Sequence, residues 1–142
     1  MGNDKKLDII YNFGKKVIVE ARDRSIYEEF CIMNGESKVR DFIEIHKKFE
    51  ALNLTEEQKK YITFFIMESV DRTINNFIWM MECNNKRFAF VAKEEDGSCF
   101  DIEQESDGLC IGQWEFIDRY SKYNTAEDML KTGEIEKEPA EE

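Results

Sequence analysis

Residues 55–82, TEEQKKYITFFIMESVDRTINNFIWMME, and residues 87–104, RFAFVAKEEDGSCFDIEQ, decide the fold between them. Across the boundary the apolar period changes from helical to alternating. In the first stretch Thr55 and Gln58 have capping-box spacing, and Glu56 and Glu57 suit the positive end of a helix dipole. Ile62, Ile66, Val70, Ile74, Phe77, Ile78 and Met81 then make one apolar face. This predicts a central helix of roughly 40 Å at 1.5 Å per residue, ended by Asn84-Asn85. The second stretch reads as a β-hairpin around Glu95-Asp96-Gly97. A two-residue Asp96-Gly97 turn would set Phe88 and Phe90 on the face of Asp101, Glu103 and Glu105. A three-residue turn with Gly97 left-handed shifts the register by one, placing Phe90 opposite Ile102, Ala92 opposite Phe100 and Phe88 opposite Gln104, so apolar meets apolar along most of the pairing.

Upstream, Leu7, Ile10, Tyr11, Val17, Ile18 and Ala21 share a helical stripe that includes Gly14, where a missing side chain allows close approach of another element. Ser25 with Glu28 has capping-box spacing, so a second helix or a kinked continuation is expected from Ser25 to the Asn34-Gly35 stop. A third runs from Ser37 through Val39, Phe42, Ile43, Phe49 and Leu52. Downstream, residues 105–108 form a turn, residues 109–111 are open to being a third short strand, and Trp114, Ile117 and Tyr120 mark a helix ending near Tyr123. The expected class is α+β: a helical N-terminal two-thirds packed on a small antiparallel hairpin or three-stranded meander, then a short C-terminal helix. The expected core is Ile62, Ile66, Val70, Ile74, Phe77, Phe90 and Ile102. Residues 1–124 are read as one domain and 125–142 as an acidic tail that opens with a last turn at Thr125 and ends in solvated residues, with seven acids against two lysines.

The 142 residues carry 20 Lys+Arg against 31 Asp+Glu, a formal charge of −11. That balance argues against a nucleic-acid partner, whose phosphates need clustered cations. With 42% hydrophobic residues and 11 Phe, the chain has the apolar surface for a core of its own. The longest apolar run, 64–67, is far short of the ~20 residues of a membrane span, and the opening MGNDKKLDII lacks the apolar run of a signal peptide. Cys31, Cys83, Cys99 and Cys110 show no C-x-x-C spacing, so reduced thiols in a cytoplasmic protein are expected, with no metal and no cofactor.

No nucleophile motif or phosphate-binding glycine loop is present. His46, with Glu50 one turn on, reads as a general base or as a locally satisfied histidine. Glu68 and Asp71 read as a carboxylate pair or, with Arg72, as a solvated salt-bridged face. Trp79 is either an interface anchor or covered by the hairpin, and Cys83, Cys99 and Cys110 would cluster if the hairpin folds onto the end of the central helix. The acidic balance favours encounter with a basic protein, and Glu103, Glu105, Asp107 and Trp114 are the expected partner-binding residues.

The segment 106–124, SDGLCIGQWEFIDRYSKYN, with Asp107-Gly108-Leu109 and then Phe116, Ile117, Tyr120, Ser121, Lys122 and Tyr123, resembles the end of a bacterial family of small, uncharacterised α+β proteins. The stretch 75–83, NNFIWMMEC, is similar to that family's preceding helix. The sequence departs from the pattern in having Phe116 where the family has Trp, and a short loop before it. The resemblance implies a helical part on a small antiparallel sheet and an accessory or immunity-type role, and it brings no catalytic residues. The functional expectation is therefore a non-enzymatic protein-binding module, in one form an immunity protein neutralising a basic toxin through its acidic surface. The alternatives are a small ligand-binding protein or hydrolase with a pocket between hairpin and central helix, using His46 or Asp71, and a structural accessory domain.

Overall fold

The computed structural model describes residues 2–106 and 108–141, without the side chains of Cys110 and Ile111. The N-terminal stripe becomes one continuous helix: α1 (Asn3–Lys16), a π-helical segment (Val17–Asp23) and α2 (Arg24–Met33). Ser25 lies inside this helix. Helical backbone continues through Asp23 and Arg24, so there is no free end for a Ser25 capping box to close. Asn34-Gly35 does stop it, with Gly35 at φ +77° in the left-handed region. After α3 (Arg40–Glu50) comes the central α4 (Glu56–Cys83), capped by Thr55 and Gln58 as the sequence predicts. The Gln58 N–H donates to Thr55 Oγ1 at 3.1 Å, and the Thr55 N–H donates to Gln58 Oε1 at 2.9 Å.

Strands β1 (Val91–Lys93) and β2 (Cys99–Asp101) pair antiparallel with Ala92 opposite Phe100. The Ile102 N–H donates to the Phe90 carbonyl, and Gly97 has φ +84°, so the three-residue turn and the register as far as Phe90 and Ile102 are those expected, while Gln104 lies in a helical turn and does not pair with Phe88. The two strands make a two-stranded sheet, and residues 109–111 open α6 (Leu109–Tyr120) in place of a third strand. A single turn, α5 (Ile102–Glu105), follows β2 directly, capped by Asp101, and redirects the chain before a third strand could pair. The architecture is α+β.

Helix α7 (Ala126–Thr132) packs along α4 and buries Ala126 and Met129. Residues 133–137 then return beside the 122–124 corner, with a Tyr123–Glu136 bridge and the Asn124 N–H donating to the Ile135 carbonyl. The segment expected to be a solvated tail is thus built into the body, and Glu141 still donates its N–H to the Arg119 carbonyl and pairs with that residue's guanidinium. Its acids point outward while its backbone and alternate side chains point in.

Two apolar clusters are stacked along the long helix. One gathers Ile18, Ile78, Phe100, Ile102, Leu109, Phe116, Ile117 and Tyr120. The other gathers Ile26, Phe30, Met67, Tyr123, Ala126 and Met129. Gly14 permits the first, since a Cβ there would lie 2.6 Å from the Phe116 ring, below any tolerable contact. The expected core is corrected on α4. Ile102 is buried and Phe90, Ile66, Val70 and Ile74 pack half-buried against the clusters, but Ile62 belongs to neither cluster and Phe77 is exposed, whereas Thr63, Met67, Asp71 and Ile78 face inward. The inward face is turned about a quarter-turn from the apolar stripe, because a buried ion pair, absent from any hydropathy pattern, sets the rotation of the helix.

Candidate functional site

Between the two clusters lies a polar layer centred on Arg22. Ile18 and Ile26, one turn to either side, belong to different clusters, as do Met67 and Ile78 on either side of Asp71. Arg22 and Asp23 are adjacent in sequence yet both buried, at 0% and 4% exposure. The i→i+5 winding of the π segment gives more residues per turn than an α-helix, so two successive side chains can stay inside.

All three guanidinium nitrogens of Arg22 are used. Nε and Nη2 grip Asp71 bidentately at 2.5 and 3.1 Å. Nη1 donates to Ser121 Oγ at 2.6 Å, and Nη2 also donates to the Asn124 carbonyl at 2.9 Å. Ser121 in turn donates to Asp23 at 2.6 Å, and the other Asp23 oxygen accepts the Lys122 N–H at 3.0 Å. Gln113, also buried, donates to the Asp71 carbonyl and accepts from Asn75. Every buried polar side-chain atom among the described residues has a partner. Burial pushes the Asp71 carboxyl above its ordinary value, and the hydrogen bond and charge of Arg22 pull it back only in part.

The layer has a positioning consequence. By binding Ser121 and the Asn124 carbonyl, Arg22 fixes the 121–124 corner against α2, and that corner carries the 133–137 return. The result is a cleft of about 550 Å³ between the outer edge of α2 and residues 133–136. Tyr27, Phe30 and Tyr123 form its aromatic walls, and Glu36, Glu134 and Glu136 stand at its mouth. The Lys122 ammonium lies 5.4 Å from the centroids of both Tyr27 and Tyr123, so the rings already hold one cation. Burial, with Glu136 and Asp23 adding, raises the Tyr123 hydroxyl above the usual phenol value, and hydrogen bonding to Cys31 does the same for Tyr27. Both rings carry neutral hydroxyls at physiological pH.

The residues singled out from sequence lie elsewhere. Glu105 is paired with Lys6 of α1, and Glu103 is half-buried, its carbonyl accepting from Ser106. Trp114 is 51% exposed on α6, and Asp107 falls outside the described residues. His46 Nδ1 donates to the Met33 carbonyl at 2.9 Å, since a carbonyl can only accept. Asp71 is held by Arg22, and Glu68 pairs with Arg72 at 2.6 Å, as the i,i+4 spacing predicts. Trp79 is 60% exposed and not covered by the hairpin, while Cys83 and Cys99 are exposed free thiols and Cys31 is half-buried. Among the described residues no group of His, Cys, Asp and Glu could hold a metal ion, and no helix is long and apolar enough to cross a membrane.

The cleft residues were not reached from sequence. Glu134, Glu136 and Tyr123 carry a usable signal, an alternating E-I-E run preceded by a Gly133 that has φ +77° and sends the chain back. No family model, curated protein or solved structure matches the chain.

Proposed function

We propose that this protein is a non-enzymatic protein-binding module that takes a basic partner on the acidic aromatic cleft between α2 and residues 133–136. The carrying observation is the placement of Tyr27, Phe30 and Tyr123 behind Glu36, Glu134 and Glu136 in a cleft wide enough for a lysine or arginine side chain. Lys122 supports the reading, because an ammonium already rests against two of the rings and can move aside for one better placed. The charge of −11 raises encounter rates with such a partner. Neutralising a basic toxin, as an immunity protein does, is the biological form of this reading. The partner-binding surface moves from Glu103, Glu105, Asp107 and Trp114 to the cleft, because Glu105 is already occupied by Lys6.

The test is capture from lysate of the source organism at low and moderate salt, with the wild type beside Glu134→Lys/Glu136→Lys. The expected outcome is a stoichiometric basic protein, released as salt rises and lost with the charge-reversed variant. A partner held equally by both proteins, or an acidic partner, overturns the reading.

A further inference from the structure

Where the long N-terminal helix meets the end of α6, the charge of the surface reverses. A pocket of about 430 Å³ opens there, lined by Lys15 of α1, Val19 of the π segment, Arg24 and Tyr27 of α2, and Tyr120 and Lys122 at the close of α6. Pro139 and Glu141 of the C-terminal segment line a further side. Three cations thus share one pocket in a chain whose net charge is −11.

No acid within the pocket neutralises them. Lys15 and Lys122 form no ion pair among the described residues, and each ammonium lies on a ring face instead. Lys15 Nζ is 5.8 Å from the Tyr120 centroid, and Lys122 Nζ is 5.4 Å from that of Tyr27. Arg24 gives its Nε to Glu28 at 2.8 Å and leaves both Nη groups open among the described residues. The two acids of the lining are engaged elsewhere. Asp23 accepts from Arg22, from Ser121 and from the Lys122 N–H, and Glu141 pairs with Arg119 at 3.3 Å.

We infer that this pocket binds a small phosphate monoester, its phosphate on Lys15, Lys122 and the open Nη groups of Arg24 and its organic group against Val19, Tyr27 and Tyr120. Charge and donor count select this class. A monoester is a dianion above about pH 6 and carries three strong acceptor oxygens, which balances two lysines that have no acid and uses three separate cationic donors. A single carboxylate would leave one lysine uncompensated. The volume is that of a small-molecule site, for which about 300–1,000 Å³ is usual. The acids over the rest of the surface repel stray anions, so occupancy at this point depends on the pocket itself. The site goes beyond the cleft reading and does not rest on it.

Phosphorus NMR of phenyl phosphate titrated with the full chain at physiological salt tests this, with inorganic phosphate and benzoate as parallel ligands. Saturable binding of phenyl phosphate is expected, tighter than that of inorganic phosphate, which lacks the ring, or of benzoate, which lacks the second charge. It is expected to weaken as pH falls through about 6, where the ester takes up a proton. Lys15→Met/Lys122→Met keeps the apolar stems and is expected to weaken binding about a hundredfold, roughly tenfold for each charge-assisted bond lost. Lys38→Met/Lys48→Met makes the same change of charge on and before α3, and is expected to cost less than about twofold because salt screens distant charges. No saturation by phenyl phosphate, equal weakening by the two double variants, or inorganic phosphate bound as tightly as the ester overturns the inference. Glu134→Lys/Glu136→Lys loses the basic partner without weakening the monoester, so failure here and failure of the cleft reading are told apart.

Discussion

The inner face of helix α4 mixes polar and apolar residues where most amphipathic helices are apolar, and its outer sides keep large apolar residues where most are polar. The inner face buries Asp71 at 3% exposure and Thr63 at 5% beside Met67 and Ile78, while the remaining sides leave Phe65, Phe77 and Trp79 more than half exposed. Hydropathy did not choose which face went in; the partners did. Arg22 gives Asp71 two charge-assisted hydrogen bonds, and an ion pair of that geometry, once formed, permits only one rotation of the helix. Such a pair adds little net stability against a well-packed apolar substitute, but losing one member is costly. The inner face therefore holds the rotation and register of α4, and the outer face, released from core duty, is free for other surfaces.

Breaking the inner face has the largest expected effect. Arg22→Leu leaves Asp71 and Asp23 buried without their cation and costs about 3–5 kcal/mol in urea denaturation. The pH dependence has a definite sign. Burial raises the folded-state pKa of Asp71, so its favourable contribution is complete below its unfolded value and is lost as pH rises through the folded value. Without Arg22 that folded value rises further, so the deficit of the variant is expected to be larger at neutral pH than in mild acid. A deficit that does not change with pH counts against uncompensated carboxylates as its cause. Arg22→Leu/Asp71→Leu is expected to recover at least about 1 kcal/mol of the loss, the coupling that a double-mutant cycle reads.

Neighbouring residues sharpen the comparison at intermediate magnitude. Met67 is fully buried, and Met67→Ala is expected to cost about 2–5 kcal/mol by thermal or chemical unfolding. Thr55→Ala is expected to cost about 1 kcal/mol, because the capping box serves the end of the helix and not either face. The smallest effect is that of Phe65→Ala: Phe65, two positions from Met67, is mostly solvent-facing, and the substitution is expected to change stability by no more than about 0.5 kcal/mol. A loss equal to that of Met67→Ala would mean that both flanks are core.

Local physics was legible in the sequence and long-range pairing was not. The Thr55–Gln58 box, the Gly97 turn with its register, the close approach at Gly14 and the Glu68–Arg72 pair each depend on residues a few positions apart or on one missing side chain. The rotation of α4 depends on Arg22, 49 positions from Asp71, and on a π segment that no apolar period announces. The acids of 134–138 read as solvated because their side chains are exposed. Their alignment with Tyr123 is made by backbone hydrogen bonds, which composition does not record. Glu105 was placed on a free surface for want of any sign that Lys6 would pair with it.

The wide turn at 17–23 also bears on inheritance. Removing one residue there would let an ordinary α-helix run on from Asn3 to Met33 with its hydrogen bonds intact, so the change would leave secondary structure almost untouched. The wide turn already absorbs the extra residue, so α2 would keep nearly its present phase relative to α1, and the loss would fall on the layer between the clusters, where a narrower turn no longer holds two successive side chains, those of Arg22 and Asp23, inside. A lineage could lose that residue and keep its helix and both apolar clusters, but it would lose the pair of charges buried between them.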